Sequence, residues 1–303
     1  MKLYNLHNRK VKAVSIKPFR LEQEIQNIVE DNLAELFSLE LVKSEFSIKN
    51  FRIDSLGFDK ENKSFVIIEY KRDKNYSIID QGYTYLSLML NNKSDFILEY
   101  NESCDGSLKR TDVDWSQSRV IFVSPQFSDY QTNSINFKDV PFELWEIKRF
   151  DIGLLSFVQH KPTSTESITN ISGDPNNMVS KVAKEVKVFT EDIHYNNTSD
   201  LVKETYFSLR ERIINLGDVE IVPRSAYVGF KRKSNFVDIT VQKKNLWLWI
   251  NLQKGTLDDP KGITRDVSDI GHYGNGDYDL KVTQESDLDY IMFLINQSYK
   301  NQD

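Results

Sequence analysis

Between residues 21 and 37 the apolar positions Leu21, Ile25, Ile28, Val29, Leu33, Leu36 and Phe37 recur at intervals of three and four. That spacing predicts one amphipathic helix with a single buried face. Upstream, VKAVSIK alternates like a short strand and is cut off by Pro18. Downstream, FRIDSLGFDKENKSFVIIEYKR (51–72) reads as a hairpin, with strand-like runs over 51–59 and 64–71 and the polar turn KENK between them. SIIDQGYTYLSLMLNN predicts a second helix with Ser77 as its N-cap. SDFILEY, RVIFVSP and FKDVPFELWEIKRF then read as strands, and NESCDGSLKRTDVDW as a loop. The order is β-α-β-β-α-β-β-β, a mixed α/β domain.

The pattern changes after residue 150. KPTSTESITNISGDPNNM has no periodicity and is rich in Ser, Thr, Asn and Pro, the composition of a linker. Beyond it, SDLVKETYFSLRERIINLG predicts a helix stopped by Gly217. Residues 219–252 read as three strands, and a further strand and the helix SDLDYIMFLINQSYKN close the chain. The expected organisation is a domain over 1–155, a linker over 156–185 and a small α+β domain over 186–303.

The hairpin contains charges where its apolar pattern predicts burial: Asp54 in the first run, Glu69 and Lys71 in the second. Such groups are rarely buried unless paired or bound to something. If the turn closes symmetrically, with 59 facing 64, Asp54 lies directly across from Glu69, Cβ atoms about 5 Å apart. Lys71, two residues on, shares that face. Two facing carboxylates require a compensating positive charge or a proton. A divalent cation compensates better than one lysine, and Mg²⁺ takes one or two carboxylates together with water and substrate phosphate. Such a site could activate water and offset charge on a scissile phosphate, with Lys71 orienting the water or stabilising the developing oxyanion. A structural salt-bridge cluster on a solvated sheet face is the other reading of the same three residues.

Composition bounds the choice. Of 303 residues, 39% are hydrophobic, 12% aromatic and 28% charged, with a net charge of −6, so a broadly basic nucleic-acid-binding surface is not expected and only a local basic track is open. The single cysteine, Cys104, excludes an internal disulfide and Cys-rich zinc sites and fits a reducing compartment. The four histidines lack metal-ligand spacing. With no signal-like or membrane-length apolar run, a cytoplasmic location is expected.

The stretch from RID, ending at Asp54, to IIEYK, holding Glu69 and Lys71, resembles the core signature of the PD-(D/E)XK nuclease superfamily. There an acidic residue on one strand is followed, after a short turn, by E-x-K on the next; Ile53 stands here where the literal pattern writes Pro. The preceding helix offers Glu22 as the superfamily's first acidic residue, with Glu24 and Glu30 as fallbacks. DQGYTYL resembles the Gln-x-x-x-Tyr feature of some branches, with Gln81 and Tyr85 four apart on one helix face. The resemblance covers about residues 20 to 150. It implies a restriction-endonuclease-like mixed sheet flanked by helices and a Mg²⁺- or Mn²⁺-dependent endonuclease acting on nucleic acid, DNA in the first instance. The implied catalytic set is Asp54, Glu69, Lys71, Glu22 and Gln81, with Asp54 and Glu69 on the metal and Tyr85 on the substrate. Arg72 and Lys74 extend the positive charge of Lys71 and are candidate phosphate contacts, though such runs are commonly a solvated face. The alternative is a non-catalytic nucleic-acid- or protein-binding module on the same scaffold. No membrane partner is implied, and a homodimer is left open.

Residues 190–303 resemble a small C-terminal domain of bacterial proteins labelled predicted transport proteins, often attached to nuclease-like domains. In it Lys231, Arg232, Lys233, Lys243 and Lys244 lie near turns, with Trp247 and Trp249 nearby. They could bind nucleic acid by charge and stacking, or the tryptophans could be core. GHYGNGDYD lacks the strand-to-helix context and Lys-Ser/Thr of a phosphate loop and reads as a turn.

Overall fold

SFVIIEY is apolar at nearly every position, the pattern of a strand covered on both faces. In the computed structural model, which describes residues 2–72, 78–168, 177–271 and 274–302, this segment is buried throughout. The chain divides into two units, Met1–Val188 and Phe189–Asp303.

The first unit runs β1 (Tyr4–His7), β2 (Lys10–Ala13), α1 (Glu22–Asp31), α2 (Leu33–Phe37), β3 (Glu40–Ile48), β4 (Phe51–Asp59), β5 (Ser64–Tyr70), α3 (Ile78–Asn91), α4 (Lys93–Ser103), β6 (Arg119–Ser124), α5 (Asp129–Ser134), β7 (Phe142–Arg149), β8 (Leu155–His160) and α6 (Met178–Glu185). β1 and β2 form a separate hairpin exposed at every position. The other strands make one mixed sheet in the order β3-β4-β5-β6-β7-β8. β5, β6 and β7 are mutually parallel, and the remaining pairings are antiparallel. Helices cover both faces. Val66, Ile68 and Tyr70 of β5 pack with Ile25, Val29 and Leu33 of α1 and α2. Phe65 and Ile67 face the larger core, with Leu86 and Met89 of α3 and Phe96 of α4. Glu69 continues the Phe65–Ile67 row toward α3.

Several expectations are corrected here. The helix over 21–37 breaks at Asn32, which has φ −126° and turns its side-chain amide back to the Ile28 carbonyl. SDFILEY is not a strand but most of α4: Phe96 and Tyr100, four apart, are the buried pair, and a short apolar run fits either period. β3 follows directly on the helical tail and was not separated from it by pattern. Residues 156–185, expected as a linker, contain most of the edge strand β8 and all of α6, whose Val182 is in the larger core. Between them Thr163 and Ser164 donate backbone N–H groups to Asn136, and Ser167 and Ile168 bond Asp139. There the polar side chains are structural hydrogen-bonding groups.

The second unit is an antiparallel sheet backed by helices: α7 (Asp192–Tyr195), α8 (Asp200–Ile214), β9 (Glu220–Pro223), β10 (Val228–Lys231), β11 (Asn235–Val241), β12 (Leu246–Ile250), β13 (Arg265–Asp266), β14 (Tyr278–Val282) and α9 (Leu288–Lys300). The strand order is β13-β14-β12-β11-β10-β9, with four strands where three were expected over 219–252. Leu246, Leu248 and Ile250 share a core with Tyr206 and Leu209 of α8 and Leu294 of α9. Trp249 is fully buried and Trp247 stacks on it, donating its indole N–H to Asp279 (2.9 Å), so both serve packing. Among the described residues no helix is long and apolar enough to cross a membrane.

One ion-pair cluster ties the first unit's sheet at the closed end of the β4–β5 hairpin. Arg119 of β6 lies 3.2 Å from Asp59 at the end of β4 and 2.7 Å from Glu143 of β7. Removing the cation takes a charge partner from each of two carboxylates that are buried or half-buried. Arg119→Met is expected to lower the unit's unfolding free energy by about 3 kcal/mol, read from urea unfolding, with no direct effect on the other end of the hairpin.

Candidate active site

β4 and β5 pair in the register that symmetric closure of KENK requires: Asp59 faces Ser64, and Ser55 faces Ile68. One further step places Asp54 opposite Glu69. There the described ladders on both sides of β4 pass over Asp54. Its N–H donates instead to Glu69 Oε1 (3.2 Å), and its carbonyl accepts from Gln26 Nε2 (3.0 Å). In return Asp54 Oδ2 accepts the N–H of Tyr70 (3.0 Å). Each carboxylate thus satisfies a backbone donor of the opposite strand, and both are held facing the same space.

Glu69 is 1% exposed. Its Oε2 accepts from Lys71 Nζ at 3.3 Å and from Gln81 Nε2 at 2.8 Å. Gln81 also donates to the Tyr85 hydroxyl (3.2 Å), which donates to the Arg52 carbonyl (3.1 Å). The helix can reach over Glu69 because α3 lies close on the sheet: a Cβ at Gly82 would meet the Phe142 ring at 2.6 Å. The structure therefore brings Asp54, Glu69, Lys71, Gln81 and Tyr85 together.

Burial, followed by the nearby Asp54 charge, pushes the Glu69 carboxyl up to about 7, with Lys71 pulling the other way. Burial likewise raises Asp54 above the usual carboxylate range, opposed by the Tyr70 N–H and by Lys71. Burial and then Glu69 push the Tyr85 hydroxyl up to about 12, so it remains a neutral donor.

Glu22 stands at the rim. Its Oε1 accepts the Arg72 N–H (2.9 Å), anchoring the chain just past Lys71, and its charge is felt at Asp54. Of the fallbacks, Glu24 is paired with Arg149 at 2.9 Å. Glu30 accepts from Gln26 (3.0 Å) and from Ser55 beneath the site. Arg72 is exposed and donates from Nη1 to the Arg20 carbonyl at 2.8 Å. Lys74 lies outside the described residues, as do Ser77 and His272.

Four contributors were missed by pattern. Gln26, buried on α1, holds the Asp54 carbonyl; Ser55 bonds the Tyr70 hydroxyl (2.9 Å) under the carboxylates. Tyr70 itself orients Asp54 through its backbone. Glu45, in the left-handed region at φ 54°, adds charge near Asp54 and pairs with Arg52 (2.7 Å). Only Gln26 had a readable signal: Glu22, Gln26 and Glu30 form a polar stripe at four-residue spacing on a helix whose next face is apolar.

Among the described residues no group of three or more His, Cys, Asp or Glu side chains could hold a metal ion. The pair Asp54 and Glu69 still suits a hard divalent cation that keeps water and substrate phosphate as its other ligands. Asp54 Oδ1 accepts no hydrogen bond among the described residues, and both carboxyls are raised in a way an added positive charge would relieve.

Comparison with known proteins adds three findings. A Haemophilus influenzae protein described as uncharacterized is 46% identical over 303 residues, covering 99% of this chain and all of its own length. Residues 191–302 match a domain of unknown function, DUF5655. Among solved structures, a repair endonuclease from Pyrococcus abyssi (18% identity, TM-score 0.23) aligns over 40% of this chain and 45% of its own. An EndoMS–double-stranded DNA complex (14% identity, TM-score 0.28) aligns over 48% of this chain and 64% of its own. At those scores neither likeness bears on function.

Proposed function

We infer that this chain, which belongs to the family of the uncharacterized Haemophilus influenzae protein, is a metal-dependent nuclease that hydrolyses phosphodiester bonds, DNA being the first substrate to test. The observation that carries this reading is the convergence of a buried carboxylate, Glu69, and a half-buried one, Asp54, with Lys71 and Gln81 both on Glu69 Oε2. It agrees with the PD-(D/E)XK resemblance of the same residues. Asp54 and Glu69 would hold Mg²⁺ or Mn²⁺, which when bound would lower the pKa of water and offset phosphate charge. Gln81 keeps the Glu69 carboxylate in its rotamer. Lys71, 16% exposed and tethered at 3.3 Å to Glu69, would orient the attacking water or stabilise the developing oxyanion. Glu22 fixes the Arg72 backbone and so the position of Lys71.

A non-catalytic binding module on the same scaffold is favoured by one observation: among the described residues the acidic set stops at two metal-ligand candidates. The deciding experiment incubates the full chain with single-stranded, duplex and branched DNA and with RNA, with Mg²⁺, Mn²⁺ or EDTA. Cleavage that requires metal is expected. Absence of cleavage on all of them, together with absence of metal binding, would replace the nuclease reading with the binding-module one.

A further inference from the structure

We propose that a second site in the first unit, a pocket of about 610 Å³ whose lining includes Arg72, the residue after Lys71, seats a backbone phosphate of the nucleic-acid strand. Its cationic lining comes from the segment before α1 (Lys17, Arg20), the chain just past Lys71 (Arg72) and the end of β7 (Lys148, Arg149). Among the described residues no acidic side chain lines it, in a protein whose net charge is −6. Two of the five cations are paired with carboxylates, Lys148 with Glu146 and Arg149 with Glu24, and with Lys17, Arg20 and Arg72 they form the local basic track that phosphate contacts need.

The pocket is preorganised. Arg149 is locked by Glu24 (2.9 Å), by the Pro18 carbonyl (3.1 Å) and by the Phe19 ring, 4.6 Å from its guanidinium carbon. Lys148 pairs with Glu146. The Lys17 N–H donates to the Arg149 carbonyl (2.8 Å), fixing the segment before α1 to the end of β7, and the Arg72 guanidinium donates from Nη1 to the Arg20 carbonyl. Lys17 and Arg20 have exposed side chains with no carboxylate partner among the described residues. A bound phosphate would supply that partner, with Arg149 and Arg72 already in place.

The position relative to Glu69 defines what is held. Arg72 is three residues from Glu69, so their Cα atoms are at most about 10 Å apart. The pocket therefore takes a phosphate of the strand whose scissile bond is presented to Glu69, close to that bond. Contact of this kind is independent of base sequence. The placement of the strand rests on the nuclease reading; the binding itself is tested separately.

The test is fluorescence anisotropy in EDTA with one labelled oligonucleotide sequence as single-stranded DNA, duplex DNA and RNA, across a salt series. Wild type is compared with the double variant Lys17→Ala, Arg20→Ala. Equal melting temperatures of the two proteins serve as the folding control. The expected result is an affinity loss of about tenfold and a fall of one to two in the slope of log K against log salt. The three probes show which strand type the pocket prefers. Unchanged affinity and slope, or no binding of any probe by wild type, would overturn the proposal. Pocket-dependent binding without metal-dependent cleavage would sustain the pocket and remove the nuclease reading. Cleavage with pocket-independent binding would do the reverse.

Discussion

Glu69→Gln is expected to reduce metal-dependent cleavage at least about 1,000-fold while making the metal-free protein more stable at pH 8. The first effect follows from removing one of two carboxylates that would hold the cation, a loss of about 4 kcal/mol in transition-state stabilisation. The second follows from linkage. The Glu69 carboxyl titrates at about 7 in the folded chain against an ordinary value of 4.5. The folded state therefore binds more protons than the unfolded one between those values, and stability falls as pH rises from about 4.5 to about 7. Above pH 7 the whole penalty, about 3 kcal/mol, is present. Glutamine removes it but deprives Lys71 of its acceptor, so a net gain of about 1–2 kcal/mol is expected. Thermal melts in EDTA at pH 5 and pH 8 measure this: the variant's advantage should appear at pH 8 and vanish at pH 5. An advantage of equal size at both values would contradict the charged, buried state assigned to Glu69.

Lys71→Met is expected to slow cleavage about 100- to 1,000-fold and to move its pH dependence. The Lys71 charge pulls the Glu69 carboxyl down. Without it Glu69 holds its proton to higher pH and competes longer with the cation. At a fixed, subsaturating Mn²⁺ concentration, the pH giving half the plateau rate should rise relative to wild type. A rate loss with an unmoved profile would mean that Lys71 acts only on the reacting atoms and does not tune Glu69.

The hairpin was legible from sequence because its turn is short and its two runs are equal in kind, so that closing 59 on 64 sets the rest of the register. Gln81 and Tyr85 were legible as one helix face. The failures have physical causes. In SDFILEY three apolar residues fit both a strand and a helix, and only the α3–α4 crossover that joins the parallel strands β5 and β6 decides between them. In residues 163–168 the backbone N–H groups of Thr163, Ser164 and Ile168 are held by the Asn136 and Asp139 side chains 27 to 29 residues away, which composition cannot convey. Glu45 takes a left-handed conformation that its residue type does not advertise. The cationic pocket joins segments from residues 16 to 149, each ordinary in isolation.

The most direct measurement is a calorimetric titration of Mn²⁺ into metal-free protein at pH 6 and pH 8, in buffers of different ionisation enthalpy, for wild type and Glu69→Gln. With a cation held by Asp54 and Glu69, wild type should release about one proton from Glu69 at pH 6 and little at pH 8, binding more tightly at pH 8, and the variant should lose most of its affinity. Equal binding by wild type and variant, or no binding by wild type at either pH, would contradict the assignment of this pair as a metal-dependent catalytic centre.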